Sequence, residues 1–126
     1  MKFEKNHEYS LDEISSVFGG ERQSFLPQRG GKIVCGRFTI PMNPDAPYKV
    51  LAGDLPNVRR KADLMVKQKG PIPVFVKEDA GRRVWRYQGL MLCVSFNTDI
   101  ELCSEEARRA GRTDKLAGVL TFEDTN

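Results

Sequence analysis

The sequence is poor in the residues that most chemistry needs. Its 126 residues hold one histidine, one tryptophan and three cysteines, an odd number without paired spacing. The single histidine, His7, lies near the N-terminus, where chains fray. Neither a zinc set of the usual spacing nor a Ser/His/Asp or Cys/His/Asn constellation can be assembled around it. A P-loop and a Gly-x-Gly-x-x-Gly turn are both missing. Asp45, Asp54 and Asp63 formally offer a carboxylate pair, but they read more simply as a turn residue, a helix N-cap and a solvated helix face. No catalysis, cofactor or metal is therefore expected. Long apolar runs are lacking as well. A stretch such as Leu90 to Val94 is far below the ~20 residues that cross a bilayer, and the first eight residues contain no apolar signal core. A cytoplasmic protein with no membrane partner is the expectation. Cys35 and Cys93 sit inside apolar runs, where a reduced thiol packs as a small hydrophobe.

Charge is present in quantity and unevenly placed. The whole chain carries a formal +3, but residues 21–86 hold fourteen basic and six acidic residues, so this middle carries +8 and the remainder −5. Such a middle suits a surface tracking phosphates, since each Lys or Arg set against the backbone displaces condensed counterions; it equally suits a solvated face.

The length fits one domain, 1–126, with no internal repeat or linker. Ser10-Leu11-Asp12-Glu13 has the form of a capping box, and Ile14, Val17 and Phe18 follow at helical spacing up to Gly19-Gly20, predicting a helix over 11–18. A polar loop over 21–31 leads into a strand over 32–40. Pro41, Pro44 and Pro47 mark 41–49 as an extended, stiff loop that is neither helix nor inner strand. Asp54 as N-cap, Pro56 in the first turn and the stripe Leu55, Val58, Ala62, Met65 predict a helix ending at Gly70, with Arg59, Arg60, Lys61 and Lys67 on its polar face. A hairpin of 72–77 and 84–96 follows, the longer strand broken by Gly89. Its alternation puts Leu90, Leu92, Val94 and Phe96 on one face and Trp85, Tyr87, Met91 and Cys93 on the other, both at least partly buried. A last helix opens at Ser104 and ends near Gly111, and 116–122 closes as a strand. The class is α+β, a small twisted, mostly antiparallel barrel-like sheet with two or three helices against it.

Aromatic and basic residues interleave at Arg37-Phe38, at Tyr48-Lys49 and in Arg82-Arg83-Val84-Trp85-Arg86-Tyr87. Aromatic faces stack on bases while guanidinium groups take phosphates, the way single-stranded or flipped nucleotides are held. A Trp and a Tyr two apart on a strand also make ordinary core.

Tyr9-Ser10-Leu11-Asp12-Glu13-Ile14, then Phe18-Gly19-Gly20-Glu21-Arg22-Gln23 and Gly31-Lys32-Ile33-Val34-Cys35-Gly36-Arg37-Phe38, resemble the opening of modified-base reader domains of the SRA/PUA-like type, in particular the N-terminal modules of McrA-like modification-dependent restriction endonucleases. Asn43-Pro44-Asp45-Ala46-Pro47, Pro73-Val74-Phe75-Val76-Lys77 and Trp85-Arg86-Tyr87-Gln88-Gly89 are similar to small domains assigned to that fold, and the likeness spans roughly residues 9–96. Where many readers have a glycine soon after the Gln, this loop has Ser24-Phe25-Leu26-Pro27. The resemblance implies a twisted β-barrel that grips duplex DNA and recognises a modified base, such as a methylated or hypermodified cytosine, in many such domains by flipping it into an aromatic pocket. On that reading Arg22, Gln23, Ser24 and Arg29 enter a groove or fill the gap left by the base. Arg37, Arg59, Arg60 and Lys61 hold phosphates, and Tyr48, Trp85 and Tyr87 line the pocket. The His-Asn-His nuclease half of such enzymes has no counterpart here, so a cutter would come from a separate partner, if there is one. Two alternatives stand beside this: a PUA-like RNA-binding domain, and a phage or mobile-element protein whose basic face docks on an acidic host protein.

Overall fold

The capping box forms as the sequence predicts. In a computed structural model, which describes residues 2–125, the Ser10 hydroxyl accepts from the Glu13 N–H (3.1 Å) and the Glu13 carboxylate accepts from the Ser10 N–H (3.0 Å). Such a cap stabilises a helix by about 1 kcal/mol. The chain runs β1 (Glu8–Ser10), α1 (Leu11–Phe18), β2 (Gln28–Arg29), β3 (Lys32–Ile33), β4 (Gly36–Thr39), a 3-10 turn (Ile40–Met42), β5 (Lys49–Gly53), α2 (Pro56–Lys67), β6 (Ile72–Lys77), β7 (Val84–Asn97), α3 (Ile100–Arg109) and β8 (Leu116–Asp124).

Six strands form one curled, mixed sheet in the order β4-β6-β7-β8-β5, with β1 on β7; β2 and β3 make a separate two-stranded ribbon. Every pairing in the large sheet is antiparallel except β4 with β6, which is parallel. The class is α+β with three helices on a half-barrel. Alternation along the strands sends side chains to two cores. Val50 and Ala52 of β5, Ile72 and Val74 of β6 and Leu120 and Phe122 of β8 pack with Ala62 and Met65 of α2. The intervening Leu51 and Val119 meet Cys103 and Ala107 of α3, and Phe75 meets Ile14 and Phe18 of α1. Thus α2 covers one face, while α1 and α3 cover the two ends of the other.

Several boundaries differ from the sequence reading. The strand expected over 32–40 is cut at Val34 and Cys35, because residues 32 and 33 pair with β2 across the Gly30-Gly31 turn, whose φ values of 60° and 78° only glycine adopts freely. The proline loop is not extended throughout: Ile40–Met42 is a 3-10 turn with Pro41 in its first positions, where a missing N–H costs nothing, and Lys49–Gly53 is a strand. Asp54 does not cap α2. The cap position is Leu55, which offers no side-chain acceptor, and the Asp54 carboxylate lies against Arg59 (3.3 Å) and Lys115 (3.5 Å) instead. Helix α3 starts four residues before Ser104, because the Asp99 carboxylate accepts from Leu102 N–H and caps it there. The N-terminal segment is tied down, with Asn6 N–H donating to Tyr87 O and Tyr87 N–H to His7 O.

The long strand β7 carries two bulges. Opposite adjacent Val74 and Phe75 stand Gly89 and Tyr87, so Gln88 is an extra residue, and a second irregularity lies between Cys93 and Ser95. Each bulge exchanges the faces. Trp85 and Tyr87 therefore pack on the α1 side and Met91 and Cys93 on the α2 side, and Leu90, Leu92 and Val94 are left exposed rather than buried.

The three cysteines are free. Burial pushes the Cys35 and Cys93 thiols up to about 11 and raises that of Cys103. At about pH 8 the thiolate fraction of each is small, so a thiol reagent should modify the native protein slowly and all three groups only after denaturation. Rapid stoichiometric labelling of the native protein would contradict the buried placement.

Candidate functional site

The residues expected to bind nucleic acid fall into two sets. Four of them, Arg22, Gln23, Ser24 and Arg37, meet Trp85 around one depression of about 250 Å³, completed by Phe25 and Thr39. The others lie elsewhere. Arg59 and Arg60 sit on exposed α2, against Asp54 and against Gln28 and Asn57 respectively. Arg29 donates weakly to Phe18 O (3.5 Å).

Three expected roles do not fit the geometry. Lys61 is 1% exposed, with Nζ donating to the Glu21 carboxylate (2.7 Å) and to Leu26 O (2.9 Å), so it is a loop tie and cannot reach a phosphate. Tyr87 is a partly buried ring packed against the α1-side core, 5.0 Å from Phe75 and 5.8 Å from Phe3 between centroids. Tyr48 is half-exposed beside β5, with β8 between it and β7, and its hydroxyl donates to Asp124 (3.1 Å). Only Trp85 of the three expected pocket rings belongs to the depression.

Sheet register builds the wall. Parallel pairing sets Thr39 of β4 beside Lys77 of β6, and antiparallel pairing sets Tyr9 of β1 beside Trp85 of β7. Lys77 Nζ stands 4.8 Å from the centroid of the Trp85 ring and Arg37 Cζ 5.9 Å, both within reach of the ring quadrupole. Lys77 and Thr39 were not among the expected site residues, since the β4–β6 pairing that brings them together joins segments far apart in sequence. The opposite wall is the loop 21–25. It is held from below by Lys61 and from the side by Arg37, whose Nη2 donates to Glu21 O (2.8 Å) and Ser24 O (2.9 Å).

Arg37 is the unusual group. It is 4% exposed, and among the described residues its Nε has no hydrogen-bond partner and no carboxylate forms an ion pair with it. Burial, the largest influence, pulls its pKa below the ordinary guanidinium value. A guanidinium stays protonated at any physiological pH, so the site holds a desolvated cation with no carboxylate in direct contact, the Glu21 charge acting on it only at longer range. No family model, curated protein or solved structure matches the chain.

Ion pairs fold away only part of the charge asymmetry of the sequence, since Asp45 and Asp54 of the basic middle pair with Arg109 and Lys115 outside it. Glu8 pairs with Arg82, Asp12 with Arg22 and Glu106 with Lys49, each acid from outside residues 21–86 meeting a base from inside it. What remains around Trp85 is local: Arg37, Lys77 and an Arg22 whose pair with Asp12 is exposed on both sides and so weakly held. Among the described residues no three or more His, Cys, Asp or Glu side chains gather into a metal-binding group, and no helix is long and apolar enough to cross a membrane.

Proposed function

We propose that this chain is a nucleic-acid-binding module of the SRA/PUA-like kind that takes one base of a modified DNA duplex into the depression beside Trp85, with no chemistry of its own. The observation that carries the reading is the convergence of Arg22, Gln23, Ser24 and Arg37 on a single tryptophan. A volume of about 250 Å³ lies just under the common range for drug-sized ligands and suits one planar heterocycle. Trp85 supplies a stacking face, Gln23 and Ser24 supply donors and acceptors for a base edge, and Arg37 supplies the buried positive charge. Arg22 can leave Asp12 for a phosphate at little cost, because an exposed pair is worth under about 1 kcal/mol. A flipped base loses a few kcal/mol of stacking, which such a pocket can offset.

Trp85 is the only tryptophan, so its fluorescence reports directly on occupation. Titration with plain, methylated, hydroxymethylated and glucosylated duplexes, and with matched RNA, should quench it, with one modified duplex preferred. In gel shifts, which need no tryptophan, Trp85→Ala should weaken that binding about tenfold or more, the usual value of a base–aromatic stack. Undetectable binding to every duplex at low salt would remove the proposal, and a preference for RNA would transfer the site to a different polymer.

A further inference from the structure

We infer a second ligand site, for a small organic carboxylate with an apolar body, in the groove between the N-terminus of α2, the 3-10 turn and the loop before β8. The groove encloses about 560 Å³ and shares Arg37, Phe25 and Thr39 with the base depression, so its occupant and a nucleic acid would compete for one cation. Its lining is mainly apolar, with Leu51 and Val58 inside and Met42 and Leu55, 49% and 66% exposed, at the mouth. A groove of this size and character holds a hydrocarbon or aromatic body.

Two independent features call for an anion in it. The first is α2 itself. This twelve-residue helix starts with Leu55 at the cap position, without a side-chain acceptor and without an acidic residue in its first turn. The positive end of its dipole and the N–H groups of Asn57 and Val58 are therefore left for an external partner. Asp54, one residue earlier, is occupied by Arg59 and Lys115. The second is Arg37, a lining residue more than nine-tenths buried, with which no carboxylate among the described residues forms an ion pair. The remaining charges of the lining are spoken for: Arg112 holds Asp114 through Nε (2.9 Å) and Nη2 (2.6 Å) and donates through Nη1 to Met42 O and Leu51 O. Against the cations Arg37, Arg112 and Lys115 stand the anions Asp54 and Asp114. One positive charge is left over, which a carboxylate balances and a phosphate dianion would exceed.

The probes are 1-naphthoate and octanoate, with 1-naphthalenemethanol and 1-naphthylmethylammonium as the neutral and cationic counterparts. Binding is followed by two-dimensional amide NMR on the full chain. The carboxylates should shift the Asn57 and Val58 amides and the Arg37 side-chain signal, and should bind about tenfold more tightly than the alcohol, with the ammonium weaker still. Leu55→Asp gives the helix its own cap and places a negative charge at the mouth. It should raise the melting temperature while weakening naphthoate at least about tenfold more than the alcohol, which loses only the apolar contact of Leu55. The pairing of a more stable protein with a lost ligand separates this from damage to the fold. Equal affinity for acid and alcohol, amide shifts centred away from the α2 N-terminus, an unchanged naphthoate affinity in Leu55→Asp, or no binding at about 5 mM would each overturn the assignment.

Discussion

Replacing Lys61 with alanine is expected to cost about 3 kcal/mol of stability, more than any other single change to a charged side chain of this protein. Its ammonium is 1% exposed and makes two short bonds, to the Glu21 carboxylate (2.7 Å) and to Leu26 O (2.9 Å). Removing one partner of a buried pair usually costs about 3–5 kcal/mol, and the lower end applies because the Glu21 side chain is 49% exposed and can recover water. Lys61→Met keeps the aliphatic stem that packs in the helix stripe and loses only the bonds, so about 2 kcal/mol is expected. At roughly 4 °C per kcal/mol, the two variants should melt about 12 and 8 °C below the parent.

The same pair sets an acid dependence. The hydrogen bond from Lys61, ahead of that from the Gln28 N–H, pulls the Glu21 carboxyl from 4.5 down to about 2. A carboxylate whose pKa is depressed by folding stabilises the protein above its ordinary pKa, and that contribution fades as pH falls from about 4.5 through about 2. Lys61→Met removes the main cause of the depression. Its deficit against the parent should therefore be largest near neutral pH and shrink in acid. Urea denaturation of both proteins near pH 7 and near pH 3 measures the difference; a deficit that stays constant or grows in acid would refute the role given to this pair. The loop 21–25 that Lys61 anchors is also a wall of the Trp85 depression, so ligand binding should fall along with stability.

Lys61 also shows what a sequence can and cannot reveal. Val58, Lys61, Ala62 and Met65 are spaced as one helical stripe, so its position on the buried side of α2 was legible; its charge alone argued for the polar face. Local signals carried α1, the β6–β7 hairpin and β8, because a capping box, a turn and an alternating run each act within a few residues. The strand β5 was hidden by its neighbours: Val50, Leu51 and Ala52 form a fully buried run, too short to outweigh Pro41, Pro44 and Pro47 just before it. The extra residues in β7 defeated alternation, since one bulge at Gln88 is enough to send Trp85 and Met91 to opposite faces. The site followed the same division. The run Arg22-Gln23-Ser24 and the lone Trp85 stood out as sequence, whereas Thr39 and Lys77 join them only through a parallel pairing between distant segments.

Arg37→Met is expected to do the reverse of Lys61→Ala, changing stability by no more than about 1 kcal/mol while weakening nucleic-acid binding more than tenfold. The two bonds from Nη2 to Glu21 O and Ser24 O are lost, at about 0.5–1.5 kcal/mol each. Against that loss stands the relief of a buried cation with which no carboxylate among the described residues forms an ion pair, and whose pKa is lowered mainly by burial. Replacing buried ionic groups by apolar residues of similar volume is often neutral because the desolvation cost goes with them, and here that relief is set against the two lost bonds. The binding energy has no such offset: the anion that would repay the desolvation of Arg37 is the ligand, so the methionine variant forfeits the whole of that interaction. The slope of log affinity against log salt should also fall by about one if Arg37 meets a phosphate, and stay unchanged if it meets a base edge. Arg37→Lys keeps the charge on a shorter side chain without the planar guanidinium, and it should recover part of the affinity. A methionine variant that binds the preferred duplex like the parent would show that the buried charge serves the loop alone.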